Sequence, residues 1–228
     1  MSKVKLFFKI LECGPISIIE MLYTTNLILL VGATDFGDFS PKKITIWSTS
    51  QNIVLCSSWP FIEKIRIAKI NKKRMIVCER NLMHVYTTAD MKILQTLEIG
   101  YITLGKLVLS PNSDKNNFAC YSSNDDEGVV KVFDTIYMNV KTTIKAHMSP
   151  VLRMAINYNG DMLCSSSCKG TIIRVFNLPK GDKVVTVKRG LSSAYIFCMN
   201  FSLNSEKLLV TSDRGTMHIF DLKVDKEE

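Results

Sequence analysis

AHMSPVLRMAINYNGDMLCSSSCKGTIIRVFNLPKGDKVVTVKRG, residues 146–190, is the stretch that decides the fold. Four apolar-rich runs lie in it: Val151 to Asn157, Met162 to Ser167, Thr171 to Asn177 and Lys183 to Lys188. Asn159-Gly160 and Lys169-Gly170 tolerate the left-handed backbone of tight hairpins, and Pro179-Lys180-Gly181 marks the third turn. The stretch predicts one antiparallel four-stranded meander. It ends on two adjacent cations, Lys188 and Arg189, followed by Gly190. Neighbouring side chains of a strand leave on opposite faces. The pair can therefore serve two separate anion pockets, one on each side.

The unit recurs. Alternating apolar residues closing on an aromatic appear as KKITIWS, NLMHVYT, GVVKVFD, GTIIRVFN and GTMHIFD. The closing aromatics are Trp47, Tyr86, Phe133, Phe176 and Phe220, and Gly128, Gly170 and Gly215 keep step with the last three. Four short strands at a period of roughly 40–45 residues are the signature of a WD-type propeller. A sandwich or barrel with evenly spaced strands is the alternative, but neither requires a nearly constant offset between glycine and aromatic. The next unit, Ile196 to Phe201, Lys207 to Thr211 and Thr216 to Asp221, lacks a fourth strand, and Val4 to Leu11 reads as an outer strand without its own inner three. The expected fold is all-β, a WD-repeat-type β-propeller with about five blades visible in a single domain, 1–228. An open arc is expected. The competing reading pairs Val4 to Leu11 beside Thr216 to Asp221 and closes a five-blade ring.

Composition narrows the function. With 228 residues, 46% of them apolar, the chain can bury a sizeable core. Its polar breaks read as loops: Asp35 to Lys43, Asn112 to Asn117 and Asn124 to Gly128. Seven scattered cysteines without a CxxC pair fit a reducing cytosol. Leu27 to Val31 is too short to span a bilayer, and MSKVKLFFKIL, interrupted by Lys9, reads as a strand rather than a signal peptide. The formal charge of +8 favours anionic partners.

Catalysis finds little support. His84, His147 and His218 fall in different repeats, with no acid paired to them at short range. Cys164 and Cys168 are expected on one face of a strand as small core residues, without the second pair a zinc site needs. Asp125-Asp126-Glu127 lacks the alternating oxygen spacing of a calcium loop. Neither a phosphate-cradling glycine loop nor a nucleophile elbow is present. The reading is a non-enzyme without metal or cofactor. No interleaving of aromatic and basic residues marks a base-stacking face, so nucleic acid is not an expected partner.

At these residues the chain resembles the PROPPIN family, seven-bladed WD-type propellers that bind polyphosphoinositides in autophagy. Val187-Lys188-Arg189-Gly190 stands in the place of the family's Phe/Leu-Arg-Arg-Gly motif. AHMSP and KGTIIRVF upstream, and SDRGTMHIF downstream, match the flanking blades, with weaker likeness through Lys72 to Val77, Met91 to Thr96 and GPISIIEML. Against seven blades, most of the first, the end of the sixth and all of the seventh are absent.

The resemblance implies binding of phosphatidylinositol 3-phosphate and the 3,5-bisphosphate, with the protein cytoplasmic and peripheral on phagophore, endosomal or vacuolar membranes. It places one pocket at His147, Ser165, Ser167, Thr171 and Arg174 around Lys188. It places a second at Ser212, Thr216 and His218 around Arg189. Convergent cations and hydroxyls suit a phosphate monoester. For His147 and Ser165 the alternative is a structural hydrogen-bond network of the blade.

Lys188 departs from the family's arginine and offers a point charge instead of a planar fork. The family's bilayer-inserting loop would begin where this sequence ends, so membrane binding is expected to rest on headgroup contacts and avidity. Ser40-Pro41-Lys42-Lys43 resembles the family loop that engages an autophagy lipid-transfer protein, an ordinary solvated turn being the alternative. A WD-type protein scaffold without lipid binding remains the second functional reading.

Overall fold

The computed structural model describes residues 14–22, 25–35, 39–58, 60–103, 105–123 and 127–222. They form strands joined by turns, with no helix among them. The chain falls into two compact units, Met1–Ile65 and Arg66–Glu228.

In the first unit β1 (Ile16–Met21), β2 (Leu27–Gly32), β3 (Ile44–Ser48) and β4 (Ile53–Ser58) make one antiparallel sheet in chain order. Its small core gathers Leu30 and Phe39, with Ile16, Ile28 and Trp47 packed against them.

The second unit repeats that meander. Its first sheet is β5 (Ile65–Ile70, whose first residue is the last of the preceding unit), β6 (Arg74–Glu79), β7 (Leu82–Thr87) and β8 (Ile93–Glu98). The next is β9 (Leu107–Leu109), β10 (Phe118–Tyr121), β11 (Val129–Asp134) and β12 (Asn139–Lys145). Then come β13 (Val151–Ile156), β14 (Met162–Ser167), β15 (Ile172–Asn177) and β16 (Lys183–Lys188). The boundaries of this sheet fall within a residue of those expected. A three-stranded sheet of β17 (Ile196–Phe201), β18 (Lys207–Ser212) and β19 (Met217–Asp221) completes the described part. All-β meanders of this kind are the blades of a WD-type propeller. Val4 to Leu11, Asp125 and Asp126 lie outside the described residues.

The repeat is visible below the level of strands. Each closing aromatic sits in the third strand of its sheet. In the four-stranded sheets a register shift lies immediately before it, at Ile46/Trp47, Val85/Tyr86, Val132/Phe133 and Val175/Phe176. Such a bulge strengthens local twist and re-aims the side chain that follows.

Period-two alternation then assigns each face to a neighbour. In β14, Leu163 packs toward the preceding sheet with Phe118, Val132 and Phe176. Cys164 packs toward the following sheet with Ile173, Met199 and Val210. The strand is buried on both faces, which is why it reads as a nearly continuous run of small and apolar residues.

Two glycines are fixed by close approach. A Cβ on Gly128 would lie 2.0 Å from the carbonyl oxygen of His147, and one on Gly170 would lie 2.0 Å from that of Ala194. Both have positive φ. These turns are where a blade receives the chain entering the next one.

Two expectations need correction. Cys164 is buried, but Cys168 is exposed. β14 stops at Ser167, so alternation no longer governs Cys168, whose N–H donates to Pro150 O in the turn. His84 does have an acid partner: Glu79 Oε1 lies 3.2 Å from its Nε2, with Thr96 Oγ1 3.0 Å from Nδ1. The β6–β7 hairpin pairs His84 with Val77, making Glu79 a diagonal neighbour on the same face. Glu79 and His84 are buried, while Thr96 is exposed on β8.

Candidate functional site

The expected first pocket is partly a network and partly a cavity. Ladder pairing sets Met154 opposite Ser165, Ser165 opposite Arg174, and Arg174 opposite Thr186, a row across the sheet. Above it lies the connection from β12 to β13, which carries His147. His147 is 3% exposed, with Nε2 3.0 Å from Ser165 Oγ. Arg174 Nη1 donates to Ala146 O at 2.6 Å and lies 3.3 Å from His147 Nδ1. A guanidinium only donates, so Nδ1 is the acceptor and Nε2–H donates to Ser165. Burial lowers the His147 pKa to about 4, aided by the Arg174 charge and opposed by the hydrogen bond with Ser165.

His147 and Ser165 therefore join the blade's internal network, the alternative weighed for them. Ser165 and Ser167 are buried inside β14, while Thr171 is half-buried with its carbonyl accepting from Arg189 N and Gly190 N. Beside this network opens a cavity of about 460 Å³, lined among others by Lys145, His147, Met148, Arg174 and Lys183. Its volume is in the range of small-ligand sites. Lys145 and Lys183 were not anticipated, because each reads as an ordinary solvated end of an outer strand. Only the packing of β12 beside β15 and β16 brings them to Arg174.

Adjacency of Lys188 and Arg189 leads to opposite environments. Val185 and Val187 pack toward the fifth sheet, so Lys188 leaves β16 on the other face, and it is exposed. Arg189 is 9% exposed. Its Nε donates to Gly170 O at 2.7 Å, and its Nη2 donates to Ser192 O. Among the expected second-pocket residues, Ser212 is buried, with its hydroxyl unpartnered among the described residues. Thr216 Oγ1 and His218 Nε2 share a hydrogen bond of 3.1 Å, and the His218 ring stacks on Phe220 at 5.9 Å. Both lie on β19 or at its start, and Val210, opposite His218, packs in the core shared with the fourth sheet.

The Ser40–Lys43 segment is an ordered turn. Ser40 Oγ donates to Asp35 and accepts from Lys42 N. Pro41 is buried, its carbonyl accepting from Ile65 N, while Lys42 and Lys43 are exposed. The turn thus presents two cations on a fixed backbone. No group of three or more His, Cys, Asp or Glu suited to a metal ion occurs among the described residues.

Comparison with known proteins agrees with the fold. The PROPPIN family model matches residues 7–227. Autophagy-related protein 18 of Dictyostelium discoideum is 35% identical over 209 residues, covering 92% of this chain and 55% of its own length. WD repeat domain phosphoinositide-interacting protein 2 of Gallus gallus is 30% identical over 229 residues, covering 100% of this chain and 51% of its own length. The chain thus spans about half the length of these relatives. Among solved structures, Kluyveromyces lactis Hsv2 superposes with a TM-score of 0.76 at 22% identity, over 93% of this chain and 63% of that one. A complex of KlAtg21 with the coiled coil of AgAtg16 gives a TM-score of 0.78 at 29% identity, over 91% and 67%.

Proposed function

This chain belongs to the PROPPIN family, and on that premise we propose that it is a phosphoinositide-binding module of autophagy. It recognises phosphatidylinositol 3-phosphate or the 3,5-bisphosphate and lies peripherally on phagophore, endosomal or vacuolar membranes. One observation carries the reading: the cavity in which Lys145, Arg174 and Lys183 converge from two sheets around a neutral histidine. A phosphate monoester needs several donors from different directions in a partly dehydrated place, and this cavity offers them. Lys188, exposed on the same side of β16 as Thr186, adds a cation further along that strand. The relatives' names, which join autophagy to phosphoinositide interaction, support the same class.

The experiment is vesicle co-sedimentation. Vesicles carrying phosphatidylinositol 3-phosphate or the 3,5-bisphosphate should retain the protein better than phosphatidylserine vesicles of matched charge. Equal retention would reduce the interaction to bulk electrostatics.

A protein-binding role is the second reading, favoured by the exposed Lys42 and Lys43 on their fixed turn. An acidic segment of an autophagy lipid-transfer protein is the proposed partner there. A pull-down in which Lys42→Ala with Lys43→Ala leaves partner recovery unchanged counts against it.

A further inference from the structure

Met148 and Leu191 are each 84% exposed. Singly exposed apolar residues are ordinary on protein surfaces. These two are set apart by where they stand and how they are held. Met148 is in the connection from β12 to β13 and Leu191 in that from β16 to β17, equivalent places in successive repeats. Met148 forms a lip of the cavity that Lys145, Arg174 and Lys183 line. Leu191 is two residues beyond Arg189 and three beyond the exposed Lys188.

Both loops are pinned on either side of their apolar tips. Before Met148, His147 N donates to Gly128 O at 2.9 Å and the His147 ring is held by Ser165; after it, Pro150 O accepts from Cys168 N at 2.9 Å. Around Leu191 the loop carbonyls are gripped by two guanidiniums. Arg189 holds Ser192 O, and Arg214 donates to Ser193 O from Nε at 3.3 Å and Nη2 at 2.8 Å. Ala194 N closes the loop onto Lys169 O at 3.1 Å. Leu191 is thereby held away from the protein, and Arg189 acts as a positioning residue for it.

We propose that Met148 and Leu191 are apolar wedges that enter the acyl boundary of a bilayer beside the headgroup pockets. A lipid surface is anionic outside and apolar a few ångströms beneath, and these two loops present both complementary chemistries side by side, exposed apolar tips next to the cation-lined cavity and to the exposed Lys188. The tips are single residues on separate loops, not a continuous groove or patch of the kind a folded protein partner would cover. The inference rests on the phosphoinositide reading and extends it. Membrane affinity comes from apolar insertion as well as from the headgroup contacts expected from sequence.

The test uses the full chain, phosphatidylcholine vesicles containing phosphatidylinositol 3-phosphate, and soluble inositol 1,3-bisphosphate as the headgroup probe. Met148→Ser with Leu191→Ser should weaken vesicle binding about tenfold or more, the loss expected when buried apolar side chains are removed. Leu191→Ser alone, at a residue outside the cavity lining, should weaken vesicle binding severalfold and leave binding of the soluble headgroup unchanged. Wild-type vesicle binding by the double variant overturns the proposal and returns the tips to a protein-facing role. Equal losses of vesicle and headgroup binding for Leu191→Ser also overturn it, since that residue would then act on the pocket. If the wild-type chain binds neither probe, the phosphoinositide reading itself fails, a result separable from the other two.

Discussion

Each side of β16 was expected to carry an anion pocket, and the two are built differently. On the side of the third sheet, a buried neutral histidine and a half-buried arginine close a network around a cavity, and the strand's own cation, Lys188, remains exposed. On the side of the fifth sheet, Arg189 is buried and its donors hold the backbone carbonyls of Gly170 and Ser192. Thr216 and His218 lie out along β19, an edge strand among the described residues. Alternation along a strand sends neighbouring side chains apart. The turns each one meets decide whether it faces a ligand or its own chain.

The largest expected effect tests the joint where one blade meets the next. Gly170→Ala should cost upwards of about 4 kcal/mol, since its Cβ would fall 2.0 Å from a backbone oxygen at positive φ. Gly215 has the same kind of φ, but nothing lies within 4 Å of an added Cβ. Gly215→Ala should therefore cost only about 1 kcal/mol. Urea midpoints of the two variants check this, and equal losses would remove the role given to close approach.

The next effect concerns pH and belongs to the third-sheet side alone. His147 titrates near 6.5 when unfolded and at about 4 when folded. Between these values the unfolded chain binds the extra proton, so this contribution is fully present above pH 6.5 and lost as pH falls toward 4. It should amount to about 3 kcal/mol. Unfolding free energies of wild type and His147→Gln over that range should converge on acidification. Parallel curves would contradict the buried neutral state.

The smallest stability effect separates the paired cations. Arg189→Ala should destabilise by about 2 kcal/mol, through two charge-assisted hydrogen bonds to carbonyls. Lys188→Ala should change stability by less than about 0.5 kcal/mol and act on headgroup affinity instead. Thermal unfolding and headgroup titration of the two variants make the division visible. A stability loss from Lys188→Ala matching that of Arg189→Ala would erase it.

Much of the fold was legible because it repeats. Trp47, Tyr86, Phe133, Phe176 and Phe220 mark third strands, and the strands of the fourth sheet could be bounded from the turns at Asn159-Gly160, Lys169-Gly170 and Pro179-Lys180-Gly181. The candidate site was legible only where neighbours in sequence are neighbours in space. Lys145 and Lys183 are 38 residues apart and join Arg174 through packing between sheets, which no local pattern signals. The burial of Arg189 depends on the Gly170 turn folding back beside it. Glu79 and His84 were within reach of a hairpin reading, since a two-residue turn at Arg80-Asn81 places them diagonally. Cys168 was misplaced because alternation was extended one residue past the strand's end.

The central claim is that a phosphorylated headgroup binds along the flanks of the fourth sheet. The chain has three histidines, His84, His147 and His218, each in a different part of the fold. His84 lies in the first sheet of the second unit, buried beside Glu79. His147 and His218 belong to the two expected pockets. Imidazole resonances followed by NMR during titration with inositol 1,3-bisphosphate read all three at once. The account predicts that the His147 signals move most, those of His218 move less, and those of His84 stay in place. Unmoved His147 signals at saturating headgroup, or equal movement at His84, would contradict it.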